Sequence, residues 1–123
     1  MTQSTETKDK QIDRLRKALA GSAVSEVKMF GGVCFMLNGN MLAGTLRDET
    51  LFRIGKDADV AALKRPHSRP MEQAGRRAVG YVLVSAEGTR RDRDLKEWLD
   101  LATAYVATLP AKKKRVGTKG SGK

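Results

Sequence analysis

Lys28-Met-Phe-Gly-Gly-Val-Cys-Phe-Met-Leu37, continued by Asn38-Gly-Asn-Met-Leu-Ala-Gly-Thr-Leu-Arg-Asp-Glu-Thr-Leu-Phe-Arg-Ile-Gly55, sets three apolar runs between two turn signals. Val33 to Leu37 is rich in β-branched, aromatic and large apolar residues, which fit a pleated surface. Asn38-Gly39-Asn40 tolerates positive φ and predicts a hairpin turn. Met41 to Leu46 returns antiparallel, Arg47-Asp48-Glu49 turns again, and Thr50 to Ile54 forms a third strand. The stretch decides a fold, while its chemistry is nearly silent.

Outward from this meander the chain reads in both directions. Met1 to Thr7 is polar and expected to be disordered. Lys8 to Ala20 is a helix whose Ile12, Leu15 and Leu19 form one apolar stripe, with Arg14, Arg16 and Lys17 on the other side and Gly21 as its stop. Val24 to Met29 leads extended into the meander. Asp57 is expected to N-cap a short helix, Ala58 to Lys64, with Asp59 in its first turn and Val60 and Leu63 buried. Arg65 to Pro70 holds two prolines and reads as loop. Ala78 to Ser85 is a central strand with apolar residues on both faces, and Met71 to Ala74 is a short partner for it. Asp92 is expected to N-cap the strongest amphipathic helix, carrying Leu95, Trp98, Leu99, Ala102, Val106 and Leu109, which Pro110 ends. The order α-βββ-α-ββ-α predicts an α+β fold of two layers, a mostly antiparallel five-stranded sheet with helices on one face.

At 123 residues the chain is one domain, large enough to bury a core without staples. One cysteine, Cys34, excludes an internal disulfide and fits the cytosol. No signal pattern opens the chain and no apolar run approaches membrane-spanning length, so no membrane association is expected. The net charge is +10, but Ala111 to Lys123 holds six bases and no acid, so residues 1–110 carry 18 bases against 14 acids, or +4. That Lys/Gly/Ser-rich tail, 111–123, is expected to be disordered.

The residues that could carry chemistry read mostly as structure. Cys34 and His67 are the only soft ligands, too few for a zinc site, so no metal site and no cofactor are expected. Cys34 sits in an apolar strand and reads as a small core residue, and His67 as a solvated loop histidine. A Cys34–His67 or Ser68–His67 pair would need a third orienting group in space, and no Gly-x-Ser-x-Gly elbow is present, so no catalytic residue is assigned. Asp57/Asp59 and Asp92/Asp94 lie where helix starts favour negative charge. Gly31-Gly32 precedes a strand rather than a helix, which argues for a bend or bulge and against a phosphate loop. Gly117 to Lys123 matches a Walker A loop only by chance, with no strand before it and no Ser/Thr after the lysine. Two basic clusters remain as candidate nucleic-acid contacts: Arg90, Arg91 and Arg93 beside the last helix, and Lys112, Lys113, Lys114 and Arg115 in the tail.

Met29-Phe30-Gly31-Gly32, the short apolar strand, the turn at Gly39, Arg69-Pro70-Met71, the Tyr81-Val82-Leu83-Val84 strand and the Trp98 helix together resemble the N-terminal domain of the TfoX/Sxy family, over about Lys8 to Pro110. The resemblance implies a secretion-chaperone-like α+β fold for residues 8–110 and a bacterial, cytoplasmic, non-enzymatic regulatory or interaction domain. It also implies a link to DNA uptake competence or transcription through an unidentified protein partner. Full-length members carry a second, helical domain that this chain ends too early to hold, so a single-domain form, monomer or homodimer, is expected. The alternative is a small nucleic-acid-associated protein, binding weakly and nonspecifically through the basic tail.

Overall fold

The computed structural model describes residues 3–29, 32–47 and 49–111. Their elements run α1 (Gln3–Ala18), β1 (Val24–Met29), β2 (Gly32–Leu37), β3 (Asn40–Leu46), β4 (Glu49–Arg53), α2 (Lys56–Leu63), β5 (Ser68–Gln73), β6 (Arg76–Val84), a 3-10 turn η1 (Ala86–Thr89) and α3 (Asp92–Val106). The strands form one antiparallel sheet in the order β1-β2-β3-β4-β6-β5. The expected α+β architecture holds, with six strands instead of five.

The additional strand is β1, the segment read only as an extended lead-in. It pairs with β2 through six consecutive partners, from Val24↔Leu37 to Met29↔Gly32. Its Ser, Glu and Lys hid it, because an edge strand is wetted on its outer side and shows no clean apolar alternation. The strand expected at Met71 to Ala74 begins earlier, at Ser68, and contains Pro70. Pro70 stands at the opposite edge of the sheet, where a missing N–H costs no ladder bond to a further strand. At the start of β2, a Cβ on Gly32 would lie 2.4 Å from the Thr45 carbonyl oxygen, so the strands approach too closely there for a side chain. Phe30 and Gly31, read with Gly32 as a bend, lie outside the described residues.

Alternation along the strands places Val33 and Phe35, Thr50 and Phe52, and Val82 and Val84 on one face. A register shift after Phe35 inserts a bulge residue in β3, and both Leu42 and Ala43 become fully buried. The apolar side chains among these join Leu15 of α1, Leu19 just beyond it, Ala62 of α2 and Leu95, Trp98, Leu99, Ala102 and Val106 of α3 in a single core cluster. The three helices therefore cover one face of the sheet. Helix α3 ends at Val106, earlier than expected, and Leu109 beyond it is only half-buried.

Two helix starts differ from the reading. Gly55, not Asp57, occupies the N-cap position of α2, with no side-chain cap bond. Asp59 turns inward instead: its Oδ1 accepts the Gly80 N–H at 3.0 Å and Oδ2 accepts from Arg77. That rotation buries Asp59 and Ala62 and leaves Val60 67% exposed, against expectation. At α3 the N-cap position is Arg91, and Asp92 is the first helical residue, bound to Arg14 at 3.1 Å. Both acids still sit in the first turn, where the helix dipole favours them. Helix α1 starts at Gln3, so it takes in part of the polar segment before Lys8.

Candidate functional site

The α2–β5 connection, η1 and the first turns of α3 enclose a cleft of about 390 Å³. Arg65 and His67 form one wall, Glu87 and Gly88 a second, and Arg90, Arg91 and Asp94 the third, with Trp98 at the base.

Each wall is held by local chemistry. The indole of Trp98 is 2% exposed and stacks on Phe52 of β4 with ring centroids 5.6 Å apart. Arg65 lays its guanidinium 4.7 Å over the same indole and donates to Glu97 at 2.6 Å, so its side chain is fixed by a cation–π contact and an ion pair at once. Ser68 Oγ is within 2.9 Å of the Ala62 carbonyl and 2.8 Å of the Arg65 carbonyl, which ties the end of α2 to the start of β5. Between them His67 has φ of +70°, an uncommon conformation for a residue with a side chain, and its carbonyl accepts the Ser85 N–H. A Cβ on Gly88 would stand 2.4 Å from Val84 and 2.8 Å from the His67 Cβ, so only glycine lets the second wall meet the first.

The third wall is braced from α1. Buried Gln11 donates to Thr50 Oγ1 of β4 at 2.6 Å and to Thr89 Oγ1 of η1 at 3.0 Å. One turn on, Arg14 donates to the Arg90 carbonyl at 3.0 Å and to Asp92. Helix α1 thus sets the position of the Arg90-Arg91 segment. Arg91 donates to Asp94 at 3.0 Å, while Arg90 is exposed and makes no side-chain ion pair among the described residues. The lining carries three arginines against Glu87 and Asp94. The surface is concave and partly aromatic, with one cation in excess over its two carboxylates.

The candidate contacts divide accordingly. Arg90 and Arg91 line the cleft, Arg93 is exposed on α3 outside it, and Lys112, Lys113, Lys114 and Arg115 lie outside the described residues. Arg65 was missed. It stands 33 positions before Trp98, and nothing local marks it except the proline that follows. Of the motif residues, Gly39 makes the β2–β3 turn at φ +80°, and Pro70 and Met71 lie in β5. Arg69 makes a double hydrogen bond to Glu49, at 2.8 and 2.7 Å, that bridges β5 to β4 across β6 beside the buried Leu83. Met29 ends β1.

Cys34 is buried in β2, and desolvation pushes its thiol pKa up. Strands β3, β4 and β6 separate β2 from β5, next to which His67 lies, so the two residues cannot form a pair. Ser68 is engaged with the carbonyls that end α2 rather than with His67. Among the described residues no group of three His, Cys, Asp or Glu is placed to hold a metal ion, and no helix is long and apolar enough to cross a membrane.

No match to the chain was found among curated proteins. The family model described as the TfoX N-terminal domain matches residues 15–105, a span that runs from Leu15 in the core through the cleft to Tyr105 near the end of α3, and the chain belongs to that family.

Proposed function

We infer that the protein is a non-enzymatic regulatory or interaction domain that works by holding an acidic segment of a protein partner in the cleft between Arg65, Arg90 and Arg91. Membership of a family that is not a known enzyme family supports the first half of this reading. The observation that carries the second half is the guanidinium of Arg65, fixed over Trp98, in the same concave lining as Arg90 and Arg91. Arginine forks match carboxylates in two parallel hydrogen bonds; Arg65 and Arg91 already donate to Glu97 and Asp94, so the exposed Arg90, with no ion pair among the described residues, is the fork that would take the partner's carboxylate. A TfoX/Sxy-type role in DNA uptake competence or transcription, in a bacterial cytoplasm, is the natural setting for such a contact.

Affinity capture from the native host tests it, using the full chain, a chain cut after Pro110, and the doubly substituted Arg90→Glu/Arg91→Glu protein. The partner is expected to stay with the first two and be lost from the third. Equal capture by the charge-reversed protein removes the cleft from the mechanism. A second reading, weak nucleic-acid binding through the tail, is favoured by the six bases and no acids of residues 111–123.

A further inference from the structure

The two edges of the sheet are built differently. At β5 the outer edge carries Pro70, which has no N–H, and the register with β6 shifts between Pro70 and Glu72. Both features are devices that stop a further strand from adding. At the other edge β1 has neither. Its six residues pair with β2 without a break, and Ser25, Glu26, Val27 and Lys28 are all exposed. Among the described residues no strand covers this edge. An unbroken edge without proline or bulge presents a ready row of backbone donors and acceptors.

The side chains of β1 state which strand fits there. Because β1 has only one regular edge to offer and β5 blocks its own, head-to-tail addition of β1 to β5 is closed off. What remains between identical chains is β1 against β1, antiparallel about a two-fold axis, which uses the same patch on both and ends the assembly at two. Residues directly opposite in such a pair share a face, so the axis must pass through a residue of the strand. An axis at Glu26 sets two carboxylates against each other, and an axis at Lys28 sets two ammonium groups against each other. An axis at Val27 sets Glu26 of each chain, whose two carboxylate oxygens accept from Arg16 of α1 at 2.8 and 2.9 Å, opposite Lys28 of the other, two opposite-charge pairs, and brings the two Val27 side chains together. Val27 is 42% exposed, one of the few large apolar residues left in water, and lies on the sheet face that carries no helix.

We propose that β1 is a homodimerisation strand: two copies join antiparallel through Val24–Met29, centred on Val27, to make one continuous sheet. The surface does not overlap the arginine cleft, which lies towards the β5 end of the sheet, so the proposal stands whether or not that cleft binds a partner.

The test uses the full chain in a Cys34→Ala background, where a single new cysteine reports its own distance from its symmetry mate. Directly opposite residues bring their Cβ atoms to about 4.5–5.5 Å, close to what a disulfide spans. Val27→Cys is therefore expected to form a covalent dimer under mild oxidation. Ser25→Cys faces residue 29 of the other chain and stands roughly 13 Å from its own mate at about 3.3 Å per residue, so it should cross-link at least about tenfold more slowly. In sedimentation equilibrium the unsubstituted chain should show a concentration-dependent dimer. Lys28→Glu, which places acid opposite acid while leaving the Arg16–Glu26 pair in place, should weaken that dimer about tenfold or more with an unchanged circular dichroism spectrum. A monomer up to several hundred micromolar overturns the proposal, as does equal cross-linking at positions 25 and 27. A dimer indifferent to Lys28→Glu overturns it too, because that dimer would use another surface.

Discussion

Replacing Asp59 with alanine leaves the Gly80 N–H without its acceptor inside the fold, a loss of about 1–3 kcal/mol for a buried unpaired donor. Asp59→Asn keeps an oxygen for that donor and gives up only the charge facing the half-exposed Arg77, so urea melts should place it much nearer the unsubstituted protein. Equal losses in the two variants would mean that the charge, and not the acceptor, matters. Cys34 makes a second prediction at this scale. Burial raises its folded-state pKa above the unfolded value, so the stability held by the neutral thiol is complete below the ordinary thiol range and is lost as pH rises through it. The thermal midpoint should fall above about pH 8.5, and fall less in Cys34→Ala. At neutral pH the native thiol should label at least about tenfold more slowly than the denatured chain. Fast native labelling would contradict the buried position. The burial of Cys34 is legible from its apolar run. The role of Asp59 is not, because its acceptor bond goes to a glycine on another strand, and the local pattern of a helix start says only that an acid is welcome there.

Helix α3 carries the largest single anchor, since Trp98 fills the space between Phe52, Arg65 and the core. Trp98→Ala should cost about 3–5 kcal/mol in denaturant melts, and a loss under about 1 kcal/mol would remove it from the core. This helix was readable in detail: Leu95, Trp98, Leu99, Ala102 and Val106 recur at helical spacing and all are buried. Elements at the sheet margins were not. In β1, water on the outer edge lets charged residues replace the alternation that marks an interior strand, and in β5 the proline that argues against a strand is the feature an edge tolerates. The α2 helix misled for a third reason. Its apolar Val60 and acidic Asp59 exchange places relative to the core because Gly80 and Arg77 supply the acid with partners. Of the cleft, only the basic cluster at Arg90 and Arg91 stood out in the sequence; Arg65, His67 and Trp98 come from other segments that only the fold brings to it.

Across the whole molecule charge is divided unevenly, +4 on residues 1–110 and six bases without an acid on residues 111–123. If all six of those bases meet duplex phosphates, the slope of log K against log[salt] should be about −5, at roughly −0.9 per contact. Fluorescence anisotropy with two unrelated duplexes should then show equal, salt-sensitive binding that vanishes on cutting after Pro110. Undiminished binding by the cut chain would instead assign the nucleic-acid surface to Arg90, Arg91 and Arg93. The uneven charge is plain in the sequence, because composition needs no knowledge of which segments meet. The hydrogen bonds of Gln11 are a different matter, joining residue 11 to Thr50 and to Thr89. During synthesis at about 5–20 residues per second, the last of these partners follows Gln11 by roughly 4–16 s. Leu15 and Leu19 wait as well, since their core neighbours on α3 come later still. For those seconds the apolar stripe of Leu15 and Leu19 stands without its core partners, open to a wrong contact or to a chaperone.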